Sequence, residues 1–391
     1  MKRLATIDTV RGLVMVIMAL DHVRDLLHSP ALTQDPTNLS TTTAPVFLTR
    51  LITHLCAPTF VFLAGTSVYL STHKAGKPTG EALTERSRFL LKRGLVLILL
   101  ELTLINFAFW TDLQFRTMML QVIFVIGVGL VLLSWLIRFQ VRTLLIVGIA
   151  IICLHDLLLL VPTFASPAAR LGWALLFRSD FLPISPQFGL LVAYSIVPWF
   201  GIMLAGYGCG PLFSKSLADR KAQLVKLGLG SLLLFAVLRF INVYGDAAPW
   251  SVQKSTLFTT LSFLNVSKYP PSLLYAALML GVMFLLLALW DGADNWLTRR
   301  LRVYGKVPLF YYLIHWYLVK GAMIGMVLMQ GYAISDMPIG TLSFGRPAGA
   351  GVTLPVVYAV WLGLVIALYP ICAWYGRYKA GHPDVAWTRY I

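Results

Sequence analysis

The strongest constraint on this 391-residue chain is a series of apolar runs, each roughly 20 residues long, recurring from one end to the other. At about 1.5 Å per residue, a helix of that length matches the roughly 30 Å hydrocarbon core of a bilayer. Lipid offers no partner to an unpaired backbone N–H or C=O, so such runs are forced into helices. Charged residues make up 12% of the chain, about half of what a soluble domain carries. That excludes a disordered chain, a coiled coil and most soluble enzymes. The pattern predicts an all-α polytopic membrane protein with about ten transmembrane helices in one bundle. They fall near 10–27, 47–71, 89–110, 117–137, 143–161, 189–209, 224–243, 272–290, 307–329 and 353–376, in a single integral-membrane domain over 1–391.

Sidedness follows from the connections. Met1-Lys2-Arg3 is basic, but no small-residue cleavage site follows the first apolar run, so an uncleaved first helix is expected. Asp8 or Thr9 can cap that helix, and Gly12 permits close packing. Basic residues gather at Lys2, Arg3 and Arg11; at Lys74, Lys77, Arg86, Arg88, Lys92 and Arg93; and at Arg138 and Arg142. They gather again at Lys215, Arg220, Lys221 and Lys226; at Arg299, Arg300, Arg302 and Lys306; and at Arg377, Lys379 and Arg389. Every other connection belongs to this set, which holds roughly two thirds of the Lys and Arg. The alternate connections carry Asp35, Asp112, Asp180, Asp246 and Asp336. Both termini are therefore expected in the cytoplasm, with the chain in the cell (inner) membrane. The same rule accounts for the net charge of +16 without nucleic acid. Cys56, Cys153, Cys209 and Cys372 lie far apart with no CxxC or metal spacing, and read as buried free thiols; no metal is expected.

An ionisable group at mid-bilayer costs about 3 kcal/mol or more, so each one needs a reason. The densest group is Asp21-His22-Val23-Arg24-Asp25, with His28 beyond it, in the outer third of the first span. Asp21 and Asp25 are four apart on one helical face, and Asp25 lies three from His22, close enough to orient its ring. A carboxylate holding a neutral imidazole is what a general base needs. The plain alternative is that Arg24 pairs with Asp21 or His28 to end the helix among the headgroups. Three features fall at the same level: His54, early in the second span; Arg239 and Asn242, near the outer end of the seventh; and Ser267-Lys268-Tyr269-Pro270-Pro271-Ser272, leading into the eighth. The prolines preset φ and put Ser272 at a helix N-terminus, where it either caps the helix or meets an anion or carbonyl oxygen.

His315 sits mid-span among aromatics with Lys320 five residues further out, as a packing residue or as part of a site. Glu101 with Asn106, and His155 with Asp156, read as interhelical hydrogen-bonding groups. At the cytoplasmic entrance to the third span, Arg86, Arg88, Lys92 and Arg93 serve either as positive-inside anchors or as a site for an anionic nucleotide tail, with Arg11 near them in depth. No P-loop, GxGxxG, GxSxG, HExxH or EF-hand pattern occurs.

Ile7-Asp8-Thr9-Val10-Arg11-Gly12-Leu13, followed by Met18-Ala19-Leu20-Asp21-His22-Val23-Arg24-Asp25, resembles bacterial members of the heparan-α-glucosaminide N-acetyltransferase family. The run from Ala57-Pro58-Thr59 to Gly65-Thr66-Ser67 resembles that family's second helix. Lys268-Tyr269-Pro270-Pro271-Ser272 and Gly305-Lys306-Val307-Pro308, continuing to His315, resemble its later signatures. Arg11 and His22 are eleven apart, as in the Arg-x10-His motif of the acyltransferase family 3 membrane proteins, whose His is thought catalytic.

The resemblance implies acetyl transfer across a membrane, from cytoplasmic acetyl-CoA to a sugar or glycan acceptor on the far side. By it, His22 is the base, oriented by Asp21 or Asp25, and Arg11, Arg86, Arg88 and Arg93 hold the CoA. An acetyl-imidazole on His22 is the variant route. Lys268, Ser272 or Arg239 would stabilise the oxyanion, while His54, Tyr269, His315 and Lys320 line the substrate paths. Family analogy also implies a homodimer surrounded by membrane lipid. The lysosomal member carries Asn where His22 stands and has its catalytic His in the first lumenal loop, where His28 is the candidate here. Acceptor identity is therefore not implied. The rival readings are a proton-coupled transporter using the buried His, Asp and Lys residues, and a non-catalytic scaffold. The lack of paired broken helices in the two halves argues against transport.

Overall fold

The computed structural model describes residues 4–73, 79–162 and 164–390. Lys2, Arg3, Lys74 and Lys77 of the basic clusters lie outside the described residues, as does the side chain of Arg389. The chain is mostly helical. Its N-terminal half runs α1 (Ala5–Leu27), α2 (Ala44–Thr53), α3 (Cys56–Thr72), α4 (Gly80–Leu100), α5 (Asn106–Trp110), α6 (Val122–Leu136), α7 (Val141–Leu154), α8 (Pro167–Leu176) and α9 (Ile196–Gly208). It continues through α10 (Leu217–Ile241), α11 (Thr256–Leu264), α12 (Leu273–Trp290), α13 (Trp296–Gly305), α14 (Pro308–Met329) and α15 (Leu354–Gly381). A π turn over Glu101–Ile105 joins α4 to α5.

Among the described residues, seven helical stretches are long and apolar enough to cross a membrane: Ala44–Thr72, Val141–Leu160, Ile196–Ser214, Leu217–Ile241, Leu273–Trp290, Pro308–Met329 and Leu354–Gly381. This is a multi-pass membrane protein. α6 is shorter, at 15 residues, and α1 and α4 carry several charges each within their length.

The expectation of an all-α chain is corrected at one place. β1 (Thr117–Leu120) pairs in parallel with β3 (Phe188–Val192), and β2 (Asp180–Ser185) pairs antiparallel with β3, giving a three-stranded sheet in the order β1-β3-β2. Residues 117–120 and 189–192, expected as the first turns of two spans, are strands, and the helices begin at Val122 and Ile196. A short apolar run has no periodicity that separates strand from buried helix. α8 covers the sheet, with Ala174 against Leu120, Leu182 and Val192.

α1 is the central element. It packs against α2, α3, α12, α13, α14 and α15, and charged Asp8, Asp21 and Arg24 are buried along it. Glycine sets its approach to α13. A Cβ on Gly12 would stand 1.9 Å from the Leu301 carbonyl oxygen, and one on Gly305 1.8 Å from that of Asp8. Two backbones this close require small residues at the crossing.

At the C-terminal end of α1 the loops tie together. Val352 N donates to Leu27 O at 2.8 Å, Ser29 N to Val352 O at 3.0 Å, and Arg346 Nη1 to His28 O at 2.8 Å. Asn265 Nδ2 donates to Thr37 O at 3.0 Å, bringing the loop before α12 onto the loop after α1.

Candidate active site

The polar stretch of α1 opens onto a small cavity of about 30 Å³. Asp21 and His22 come from α1, Thr53 from α2, Cys56 and Phe60 from α3, Gln121 from the turn before α6, Lys268 from the loop before α12, and Tyr312 from α14. Six separate segments thus meet at one point. A second, larger cavity of about 210 Å³ lies beside it, lined by Arg24, Asp25, His28, Gln34, Asp35 and Thr42 among others. Arg24 joins the two, because its Nη2 bonds Asp21 at 2.6 Å and Asp25 at 2.7 Å.

Asp21 is saturated. Besides Arg24, it accepts from Arg50 Nη1 at 2.6 Å and from Thr53 Oγ1 at 2.8 Å. A buried carboxylate persists only when paired and hydrogen-bonded, and two guanidiniums with a hydroxyl meet that requirement. Charged groups of both signs thus neutralise each other in the bundle interior.

His22 is held differently from the expectation. Its Nδ1 lies 2.7 Å from Nε2 of His315, with the ring planes inclined by 25° and their centroids 5.0 Å apart. Trp316 covers the His22 ring at a centroid distance of 3.9 Å. Asp25 is engaged by Arg24 and Asp21 by Arg24, Arg50 and Thr53, so the close partner of the imidazole is a second histidine. His315 is fully buried, with its Nδ1 3.2 Å from the carbonyl oxygen of Tyr311 one turn back.

The other candidates divide by distance from this point. Lys268 is buried on the cavity wall, its Nζ 5.0 Å from the Tyr269 ring and 5.8 Å from that of Tyr194. His54 is buried beside the wall residues Thr53 and Cys56, edge-on to Tyr275 with centroids 5.5 Å apart. Ser272 follows the capping reading: its Oγ accepts from Tyr275 N at 3.0 Å and donates to Asp246 at 2.6 Å. Arg239 is spent on backbone carbonyls of Ala248, Ser262, Phe263 and Asn265, where it pins the loop before α12. Lys320 donates to the Phe109 carbonyl at 2.7 Å and to that of Phe344, joining α5 and a late loop to α14. Glu101 Oε1 accepts from Gln121 N at 3.1 Å, and Asn106 Oδ1 from Met119 N at 2.7 Å, so the π turn positions cavity residue Gln121. Asp156 caps α12 by accepting from Leu273 N at 3.0 Å.

On the opposite side, Arg11 donates to Ser67 Oγ at 2.9 Å and faces Asp8 at 3.6 Å. Arg86 and Arg88 are exposed on α4, and Arg93 is half-buried. Among the described residues, no group of three or more His, Cys, Asp or Glu side chains is placed to hold a metal ion.

Arg50, Gln121, Tyr194, Tyr312 and Trp316 were not singled out from sequence. Arg50 had a signal, as a lone cation in the apolar run from Phe47. Gln121 and the aromatics had none, since membrane helices are rich in such residues at packing positions.

A comparison with curated proteins gives no match. A comparison with protein families matches residues 3–242, more than half of the chain, to the family described as heparan-alpha-glucosaminide N-acetyltransferase, catalytic. The matched span holds Arg11, the Asp21–Asp25 cluster, Arg50, the α4 arginines and Gln121; Lys268 and His315 lie beyond it. This match supports an N-acetyltransferase-type membrane enzyme, and the chain belongs to the heparan-alpha-glucosaminide N-acetyltransferase catalytic family.

Proposed function

We propose that this chain is a single-domain enzyme of about ten membrane helices, with both termini in the cytoplasm of the inner membrane. It moves an acetyl group from cytoplasmic acetyl-CoA to a sugar or glycan acceptor on the outer face, with His22 as general base. The observation that carries this reading is the convergence of His22, Asp21 and Lys268 on one cavity, with Arg11 on the same helix. Eleven residues of α-helix separate Arg11 from His22 by roughly 16 Å. One helix therefore links a basic entrance to the reacting point.

The chemistry follows from the side chains. Arg11 and the α4 arginines attract the CoA phosphates by charge-assisted contacts. The acceptor enters from the larger outer cavity, where Arg24 Nη1 is a buried donor with no hydrogen-bond partner among the described residues. His22 takes the proton of the acceptor amine or hydroxyl as it attacks the thioester carbonyl. The carbon–sulfur bond then breaks, and the proton passes from His22 to the departing CoA thiolate. Lys268 faces the oxygen that becomes negative, the role that Ser272 and Arg239 are too committed elsewhere to fill.

The test uses purified protein in nanodiscs with radiolabelled acetyl-CoA and a panel of amino sugars and glycan hydroxyls. His22→Ala is expected to lower label transfer by roughly 10²- to 10⁴-fold without changing acetyl-CoA binding or the unfolding temperature. Neutralising Arg86, Arg88 and Arg93 together is expected to weaken binding instead. Transfer at the wild-type rate by His22→Ala would remove the base assignment.

A further inference from the structure

His22 and His315 lie 293 positions apart in the chain, yet their ring nitrogens meet at 2.7 Å. From this contact we infer that His315 is a positioning residue that fixes the proton of His22 on Nδ1 and leaves Nε2 as the only basic atom of the site histidine. The inference rests on the proposed role of His22 as base.

The argument runs along a chain of acceptors. His315 Nδ1 faces the Tyr311 carbonyl at 3.2 Å, and a carbonyl oxygen can only accept. With both rings neutral, His315 Nδ1 therefore carries the hydrogen and Nε2 carries a lone pair. That lone pair faces His22 Nδ1, so the hydrogen between the rings belongs to His22. The opposite arrangement would set the lone pair of His315 Nδ1 against the carbonyl lone pairs. Neutral His22 is then unprotonated at Nε2. The stacking of Trp316 on His22, at 3.9 Å, holds the ring in the plane this contact needs.

In acyl transfer, His22 Nε2 receives the acceptor proton as the new bond to the acetyl carbon forms. It returns that proton to the CoA sulfur as the thioester bond breaks. The Nδ1 hydrogen stays where it is throughout, donated to His315. A neutral imidazole thus fills the place that a carboxylate occupies in a Ser-His-Asp triad. The charged groups around the pair are Asp21 on α1, Arg50 on α2 and Lys268 before α12. Asp21 is tied to two arginines and is not the orienting group.

The experiment is ¹³C and ¹⁵N NMR of histidine-labelled full-length protein in lipid, with the His22 signal assigned by its loss in His22→Gln, combined with transfer kinetics. His22 should report the Nδ1–H tautomer in the wild type. His315→Leu should shift it toward a mixture of tautomers and lower kcat at least about tenfold, with little change in KM for acetyl-CoA. His315→Gln, whose Oε1 falls near the position of Nε2, should restore the tautomer and most of kcat. An Nε2–H tautomer in the wild type, or an unchanged tautomer and kcat in His315→Leu, would overturn the inference. An Nδ1–H signal in a protein that transfers no acetyl group would leave the histidine geometry standing and remove the acetyltransferase reading alone.

Discussion

Asp21 is bound by more side chains than any other residue of the cavity wall described above, and its loss should be felt first as instability. Asp21→Asn would leave Arg50 buried against a neutral partner and Arg24 with Asp25 as its remaining carboxylate. The expected cost is about 3–5 kcal/mol, the range for removing one member of a buried ion pair. Asp25 is 37% exposed at its side chain, and Asp25→Asn should cost about 1 kcal/mol or less. Unfolding temperatures of the two variants in the same detergent check the contrast, and equal losses would contradict it. The cost of ionisable groups in lipid was enough to mark Asp21, His22, His315 and Lys320 from sequence. It did not say which of them meet. Spacing along one helix pointed His22 toward Asp25, whereas the partner comes from α14, and no local pattern encodes a contact across the bundle.

α1 depends on bare backbone where it crosses α13. Gly12→Leu would drive a side chain into the Leu301 carbonyl and should destabilise the protein by about 1–3 kcal/mol or more, as overpacking does. Replacement at the exposed Gly363 of α15, where a Cβ meets nothing within 4 Å, is the control and should change the unfolding temperature little. The outer loop between α5 and β1 is held by charge. Arg116 bonds Asp112 through Nε at 2.9 Å and reaches the Ile339 carbonyl at 3.2 Å, while Thr117 Oγ1 donates to Gly340 O at 2.7 Å. The hydrogen bond from Arg116 holds the Asp112 carboxyl below its ordinary value. A depressed carboxylate contributes stability that is present above the unfolded-state value near 4 and is lost as pH falls through the folded one. Wild type should therefore exceed Asp112→Asn in stability by a constant amount above about pH 4, with the gap closing below it. A gap that widens on acidification would contradict this assignment. Boundaries of long elements were largely legible, because hydropathy over 20 residues is a strong signal. The sheet was not, because its strands of four to six residues sit against apolar runs that continue into helices.

Over the whole molecule, the basic clusters alternate with acid-bearing connections, and this pattern gave a sidedness without any structure. Reporter fusions at both termini should read cytoplasmic, and a fusion after Asp246 should read the far side. Seven apolar spans are seen among the described residues, and the proposed ten-crossing topology adds to them α6 and the charged α1 and α4. The short helices α11 and α13 were unforeseen, since nine or ten residues leave no membrane-length signature. The family came from short motifs in the first two spans, at Lys268–Ser272 and at Gly305–His315, and the family match covers those of the first two spans. What the chain does with both faces of the membrane is best tested in sealed, uniformly oriented proteoliposomes, with labelled acetyl-CoA supplied at the cytoplasmic face and an amino sugar at the other. The account predicts labelled sugar on the acceptor side, an equal amount of free CoA on the donor side, and neither with His22→Ala. Equal transfer by His22→Ala, or no transfer to any acceptor by folded wild-type protein, would contradict it.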